Sequence, residues 1–391
     1  MNALTPPDDS RNFFAVCLSL TFCFVVYSML IVTVPVYGLQ LGASPLVLGA
    51  ILSAQYLLPL LLAIPLGGVV SRYGGRATLI AGGICMVAGL LSMHLWYGYA
   101  GLVFGQLLVG LAHLQMVLSA QTIISDLGSG PGLEKYFGWY STWLSAGQVV
   151  GPLLAGALLA STAGRRSIFL VMAGMAILAA LAGLRLTGTA RQRVAVDRRK
   201  SGFRGQWALM RVNVGVQLSV LVTILGMFGL GVYGSYLPVY LESLAITPVL
   251  IGVLVSLRSA VSMLIRPFMA QMIRMAGGRE NAVLLSLGGV AVSIGLLGFF
   301  EQTVMLAVLA ILMGIGSGLT QPLSMVILAE SVDRAQRSGA LGMRLMANRA
   351  VHFVAPLFFG ALLELGGFVL AFGLSGLLIA AAVVPIRRRL A

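Results

Sequence analysis

Pro35-Val36-Tyr37, Ser44-Pro45, Gly49, Ser53 and Gly74-Gly75-Arg76 return further along the chain as Pro238-Val239-Tyr240, Thr247-Pro248, Gly252, Ser256 and Gly277-Gly278-Arg279. Each pair is 203 positions apart (35 to 238, 76 to 279). Beyond that stretch the offset becomes 204. Asp126 pairs with Glu330, Gly138 with Gly342, Pro152-Leu153 with Pro356-Leu357, and Gly156-Ala157-Leu158-Leu159 with Gly360-Ala361-Leu362-Leu363. One added residue between the two blocks accounts for the change. A long apolar chain made of two similar halves is the pattern of a carrier with a central site.

Composition sets the medium. The 391 residues are 59% apolar and 9% charged, where soluble domains carry about 25% charged residues. Twelve apolar stretches are long enough to cross a hydrocarbon core: near 12–36, 45–70, 77–97, 100–126, 136–161, 166–187, 213–240, 248–274, 281–300, 303–329, 338–363 and 366–386. The expected fold is therefore an all-α membrane protein, with twelve transmembrane helices in two six-helix bundles. Six spans per half place both halves the same way up, as parallel repeats. Residues 1–187 and 213–391 are the halves. The polar, basic stretch 188–212 is a cytoplasmic linker, with a surface helix near Phe203 and Trp207.

The net charge of +14 is a topological address rather than a nucleic-acid footprint. Arg72, Arg76, Lys135, the cluster from Arg185 to Arg211, Arg274, Arg279, Arg334, Arg337 and Arg387 to Arg389 all fall on one side if the spans alternate. Glu242, Glu301 and Glu364 fall on the other, against only Arg165 and Arg166. This is the positive-inside pattern, with both termini cytoplasmic in a multi-pass inner-membrane protein. Cys17, Cys23 and Cys85 lie inside apolar spans and form neither a disulfide framework nor a metal set. No removable signal peptide is expected at the N-terminus. No cofactor, metal or nucleic acid is expected, and the chain is expected to act as a monomer in the bilayer.

Two local motifs resemble the major facilitator superfamily and a third departs from it, and the likeness runs over essentially the whole chain. The family's loop between spans two and three reads Gly-x-x-x-Asp-Arg-x-Gly-Arg-Lys/Arg. Gly67, Arg72, Gly74 and Arg76 match, with Ser71 in the acidic position and Gly75 where a base is usual. Span five carries Gly138, Gly147, Gly151-Pro152 and Ala155-Gly156 at the spacing of the antiporter motif of the family's exporters. The resemblance implies that Gly147, Gly151, Pro152 and Gly156 let this helix bend and rock. It also implies that the loop with Arg72, Gly74 and Arg76 locks the cytoplasmic side, and the repeat partners Asp126 and Glu330, at cytoplasmic helix ends, are expected to complete the gate by pairing with Arg72 or Arg76 and with Arg274 or Arg279. In span four many drug–proton antiporters of the family have an arginine. Here the frame Leu102-x-x-x-Gln106-x-x-Val109-Gly110 holds Gln106 instead.

Ionisable groups deep in the membrane cost about 2.5–3.5 kcal/mol each on insertion scales, so they mark function. Arg258, Ser262 and Arg266 share one face of span eight, and Arg344, Asn348 and His352 one face of span eleven, with Arg349 at its edge. Their first-half partners are Gln55, Pro59 and Ala63, and Tyr140, Leu144 and Gln148. One half is basic where the other is neutral, and no acid stands at that depth. Arg258, Arg349, His352, Asn348 and Arg344 are therefore candidate contacts for an anionic group. Gln55, Tyr56, Tyr140, Gln148 and His113 form the neutral, hydrogen-bonding wall. His352 can titrate near neutral pH and carry a proton.

The expected function is secondary active transport: proton-coupled export of a small organic anion by alternating access. An importer of organic anions on the same fold and a non-transporting membrane receptor are the alternatives. An enzyme is not expected, because no nucleophile–base grouping or phosphate-cradling glycine loop appears.

Overall fold

The computed structural model describes residues 7–127, 131–161, 167–187, 210–332 and 337–390. Among these residues the protein is helical without strand. The predicted linker helix near Phe203 and Trp207 lies outside the described residues, as do Arg165 and Arg166. In chain order the helices are α1 (Pro7–Gln40), α2 (Pro45–Tyr73), α3 (Gly75–Leu95), α4 (Tyr99–Asp126), α5 (Pro131–Ala160) and α6 (Ile168–Leu184). The second half contributes α7 (Val214–Ser243), α8 (Pro248–Ile265), α9 (Met269–Met275), α10 (Arg279–Leu297), α11 (Thr303–Ser331) and α12 (Arg337–Leu390). Among the described residues ten helical segments are long and apolar enough to cross a membrane, and Ile168–Leu184 is a shorter apolar helix. One of the ten, Ala340–Val384, covers two expected spans, because α12 breaks at Gly366 and Gly367. Gly367 takes φ +73°, a conformation glycine adopts without steric cost.

Span eight, expected near 248–274, is one membrane-length segment, Pro248–Met275, with an interruption inside it. A 3₁₀ turn at Arg266–Phe268 separates α8 from α9. Pro267 has no N–H to donate, so the α-helical ladder loses a bond there. In the first half Pro59 and Pro65 sit inside an unbroken α2.

The chain forms two compact units. The first comprises residues 1–42, 54–194 and 246–256, and the second 43–53, 195–245 and 257–391. Each unit takes one segment from the other end of the chain, the starts of α8 and α2. In the first unit α3 packs on α4 and α6, and α1 on α4, α5 and α6. In the second, α10 packs on α11 and α12, and α7 on α10, α11 and α12.

Small residues set these approaches. A Cβ on Gly105 would strike the Gly89 carbonyl at 2.6 Å, and one on Gly316 the Ser286 carbonyl at 2.7 Å. The exchanged segments are held the same way. Gly49 and Gly360 face the carbonyls of Pro356 and Pro45, each at 2.5 Å from an ideal Cβ, within the second unit. Gly156 faces the Pro248 carbonyl at 2.5 Å, and Gly252 the Pro152 carbonyl, within the first. All eight residues are repeat equivalents. Fully buried Tyr236 adds hydrogen bonds to the Pro45 and Pro356 carbonyls, at 2.9 and 3.1 Å. Large apolar side chains such as Leu61, Ile84, Leu285 and Val304 are exposed, as a bilayer-facing surface requires.

Candidate functional site

Two helix crossings position the central residues, and the repeat relates them. In the first unit Gly110 of α4 lies directly on the Gln55 carbonyl of α2. In the second, Gly314 of α11 lies on the Arg258 carbonyl of α8, at 2.8 Å from an ideal Cβ. Gly110 and Gly314 are equivalents at offset 204, Gln55 and Arg258 at 203. The scaffold therefore presents the same backbone point twice, once with a neutral amide and once with a guanidinium.

Beside Arg258 the second unit places Tyr233 of α7 and Arg266, while Asn348, Arg349 and His352 lie along α12. The Arg258 guanidinium is half-buried and donates one internal hydrogen bond, from Nη2 to Ser259 Oγ at 2.6 Å. It interacts electrostatically with Tyr233 of α7 and with Arg266. Tyr233 is fully buried, and its hydroxyl makes no hydrogen bond among the described residues. His352 of α12 packs where α7 has only Gly231, whose ideal Cβ would stand 3.3 Å from the imidazole Nδ1. Arg349 interacts electrostatically with His352. Asn348, Arg349 and His352 are all half-buried.

Arg344 stands apart from this group. It is 3% exposed and fully engaged within its own unit. Nη2 donates to Gln321 Oε1 at 2.6 Å, to the Gln321 carbonyl at 3.2 Å and to Ser324 Oγ at 2.8 Å, while Nε reaches Ser324 Oγ at 3.1 Å. The serine carbonyl in turn accepts from Ser219 at 2.6 Å. This network ties α12 to α11 and α7. The sequence reading missed Gln321, Ser324 and Tyr233. A signal existed for the first two: their repeat partners are Val117 and Ala120, so their polarity belongs to one half only.

In the first unit the structure joins Tyr56 and His113 through Tyr27, which the sequence reading overlooked, and Gln55 precedes Tyr56 on α2. Tyr27 stacks on His113 with centroids 4.1 Å apart, and Phe24 meets the same imidazole edge-on at 4.9 Å. The Tyr27 and Tyr56 hydroxyls are 3.2 Å apart. Gln55 and Gln106 are buried, and neither Gln55 Nε2 nor Gln106 Oε1 makes a hydrogen bond among the described residues. Each such orphan costs about 1–3 kcal/mol. Tyr140 is buried against Phe137, and Gln148 is half-buried on α5.

The gate residues divide unevenly. Arg279 and Glu330 form the one ion pair among the described residues, from exposed positions. Its first-half counterpart is missing. Arg76 donates instead to the Leu184 carbonyl at 3.1 Å, and Arg72 lies over the Tyr73 ring. Asp126 is exposed without an ion pair among the described residues. The end of α6 offers Arg76 a carbonyl lacking an intrahelical partner, which satisfies its guanidinium without the acid. Gly74 (φ +85°) and Gly278 (φ +136°) precede α3 and α10 at equivalent turns. The α5 glycines serve close packing: Gly147 faces the Thr21 carbonyl at 2.9 Å and Gly151 the Val25 carbonyl at 2.6 Å. The helix runs through Pro152 without interruption.

No group of three or more His, Cys, Asp or Glu among the described residues could hold a metal. No curated protein matches the chain in sequence. Among solved structures, a variant of the nucleoside transporter NupG superposes with a TM-score of 0.79 at 14% identity, covering 96% of this chain and 98% of that one. A POT family transporter in complex with 5-aminolevulinic acid gives 0.78 at 12% identity, covering 96% and 95%. A bacterial homologue of the human lysosomal transporter Spinster, inward-facing and unoccupied, gives 0.77 at 15% identity, covering 99% and 97%. These likenesses concern the fold. The family model of the Major Facilitator Superfamily matches residues 16–280 and again 219–390, and with nearly the whole length accounted for, the chain belongs to that superfamily as a multi-pass membrane protein.

Proposed function

We propose that the protein is a secondary active transporter of the inner membrane that exports a small organic anion by alternating access, driven by the proton gradient. It would have twelve spans in two six-helix halves, with both termini cytoplasmic. The observation that carries the anion is the chemistry around Arg258. Arg258 and Arg349 lie well inside membrane-length helices, and neither pairs with a carboxylate among the described residues, where Arg279–Glu330 is the one ion pair. Holding unpaired cations there is costly, and a cargo carboxylate or phosphate accepting both arms of a guanidinium offsets that cost. Asn348 adds a neutral hydrogen-bonding group, and His352 beside Arg349 is the proposed proton carrier. The span-five glycine pattern favours export. One fold neighbour is described with 5-aminolevulinic acid bound, so this architecture accommodates an organic acid.

The test is counterflow in proteoliposomes of known orientation, with and without a pH gradient. A panel of organic acids is compared with amines of the same skeletons. Exchange of acids but not amines, accelerated by a gradient that moves protons against the acid, is expected. Flux of amines alone would overturn the anion reading, and gradient-insensitive flux the proton coupling. Acid accumulation with the proton flow would make the protein an importer, and binding without flux a receptor.

A further inference from the structure

We infer that the first unit carries a binding platform for a planar, heteroatom-bearing aromatic ring, built from Tyr27, Tyr56, Gln55 and His113. The inference rests on the transport reading, since the ring is taken to be part of the carried molecule.

Three observations carry it. The first is one-sidedness. Phe24, Tyr27, Tyr56 and His113 correspond under the repeat to Met227, Leu230, Ser259 and Ser317. The second unit builds the same helix crossing at Gly314 without any of these rings, so packing does not require them. The second observation is geometry. His113 is buried and stacked on Tyr27, which fixes that ring, and the Tyr27 hydroxyl meets that of Tyr56 at 3.2 Å. Tyr27 and Tyr56 are each half-buried rather than enclosed. Two χ angles already restrained are two that a ligand need not freeze. Flat aromatic faces prefer flat partners in offset stacks.

The third observation is a buried amide one residue away on α2. Gln55 precedes Tyr56 on α2, is 6% exposed, and its Nε2 makes no hydrogen bond among the described residues. Backbone position at this crossing is pinned by Gly110 against the Gln55 carbonyl. A buried donor held without a partner is the arrangement expected of a group that awaits an acceptor on a ligand. A ring nitrogen or ring carbonyl on the carried molecule supplies one. The chemical class is thus a planar heteroaromatic acid, rather than an aliphatic or saturated cyclic one.

The probes are quinoline carboxylate, naphthoate and decalin carboxylate, three acids of one skeleton size, together with uncharged quinoline. Binding to purified protein is read by calorimetry, and competition in proteoliposomes by flux. The expected order is quinoline carboxylate tighter than naphthoate, and naphthoate tighter than decalin carboxylate. Each step is roughly three- to tenfold. Tyr56→Leu should erase the gap between naphthoate and decalin carboxylate, whereas Tyr56→Phe keeps it. Gln55→Leu should erase the gap between quinoline carboxylate and naphthoate alone.

Decalin carboxylate binding as well as naphthoate overturns the platform, and so does a Tyr56→Leu variant that weakens all three acids equally. Failure of both quinoline and the acids to bind overturns it too. If Arg258→Gln leaves acid binding intact while the ring ranking persists, the anion reading falls and the platform stands.

Discussion

Arg258 and Arg344 sit in the same membrane-embedded unit, yet their substitutions should have opposite consequences. Relieving a buried guanidinium returns about 2.5–3.5 kcal/mol on insertion scales. Against that stands whatever the guanidinium holds. Arg258 has one internal bond, to Ser259, worth about 1.5–3 kcal/mol for a charged donor. Replacing it with glutamine, the residue the first half uses at the equivalent crossing, should leave stability unchanged or raise it by up to about 2 kcal/mol. Arg344 holds two side chains through three side-chain contacts and a backbone carbonyl through a fourth. Arg344→Met removes the charge-assisted bonds to Gln321 and Ser324 at about 1.5–3 kcal/mol each, a net loss of about 1–3 kcal/mol.

Function should run the other way for Arg258. Losing a two-armed charge-assisted contact to an anion costs about 3 kcal/mol, which is roughly two orders of magnitude in affinity. The assay pairs thermal unfolding of purified protein in one detergent with acid counterflow in liposomes. Arg258→Gln is expected to unfold no earlier than the unsubstituted protein and to lose transport. Arg344→Met is expected to unfold earlier. If Arg258→Gln transports normally, the guanidinium is not a cargo contact. If it is instead destabilised as much as Arg344→Met, its cost is met by the fold, and the argument from unpaired charge is wrong.

Three further outcomes are expected. Gly156→Val places side-chain atoms against the Pro248 carbonyl, where an ideal Cβ already stands at 2.5 Å. It should cost about 1–3 kcal/mol, read as earlier thermal unfolding, whereas Gly174→Val, which meets open space, should be neutral. Asn213 caps α7 by accepting from the Val216 N–H at 3.1 Å and donates to the Ser331 carbonyl at 2.6 Å. Asn213→Ala should lose about 1–2 kcal/mol, and Asn213→Asp should recover only the cap. The exposed Arg279–Glu330 pair is worth at most about 1 kcal/mol. Glu330→Gln should therefore barely move the unfolding temperature, and Arg279→Glu combined with Glu330→Arg should match the unsubstituted protein in flux if the pair acts by attraction alone.

Much of the scaffold is legible in the sequence because its demands are steric and repeat. Gly49, Gly252, Gly156 and Gly360 are glycine because each faces a carbonyl across a helix crossing. Two copies of one architecture impose that twice. The break of α8 at Arg266–Phe268 is not legible, since Pro59 and Pro65 show that proline alone does not end a helix here. Whether a lost backbone bond breaks a membrane helix depends on what neighbouring groups supply, and that is tertiary information. Side-chain partnership is hidden for a similar reason. Asp126 and Arg76 look like the counterpart of Glu330 and Arg279, yet Arg76 takes the Leu184 carbonyl. Long basic side chains choose among several acceptors within reach, and spacing cannot rank them.

The repeat nevertheless separates scaffold from chemistry in a way that composition cannot. A residue type kept in both halves at one structural point is explained by packing, as Gly110 and Gly314 are. A polar or aromatic residue kept in one half only has no such explanation, because the other half folds without it. By that criterion Arg258, Tyr27, Tyr56 and His113 stand out, but so does Arg344, whose bonds stay inside its own unit. One-sidedness alone therefore does not identify a ligand contact. The additional requirement is a donor or an aromatic face that its own unit leaves unused. Arg258 meets it through guanidinium arms beyond its single bond to Ser259, and Gln55 through its buried amide. Arg344 fails it, and that failure makes its variant the control against which the other two are judged.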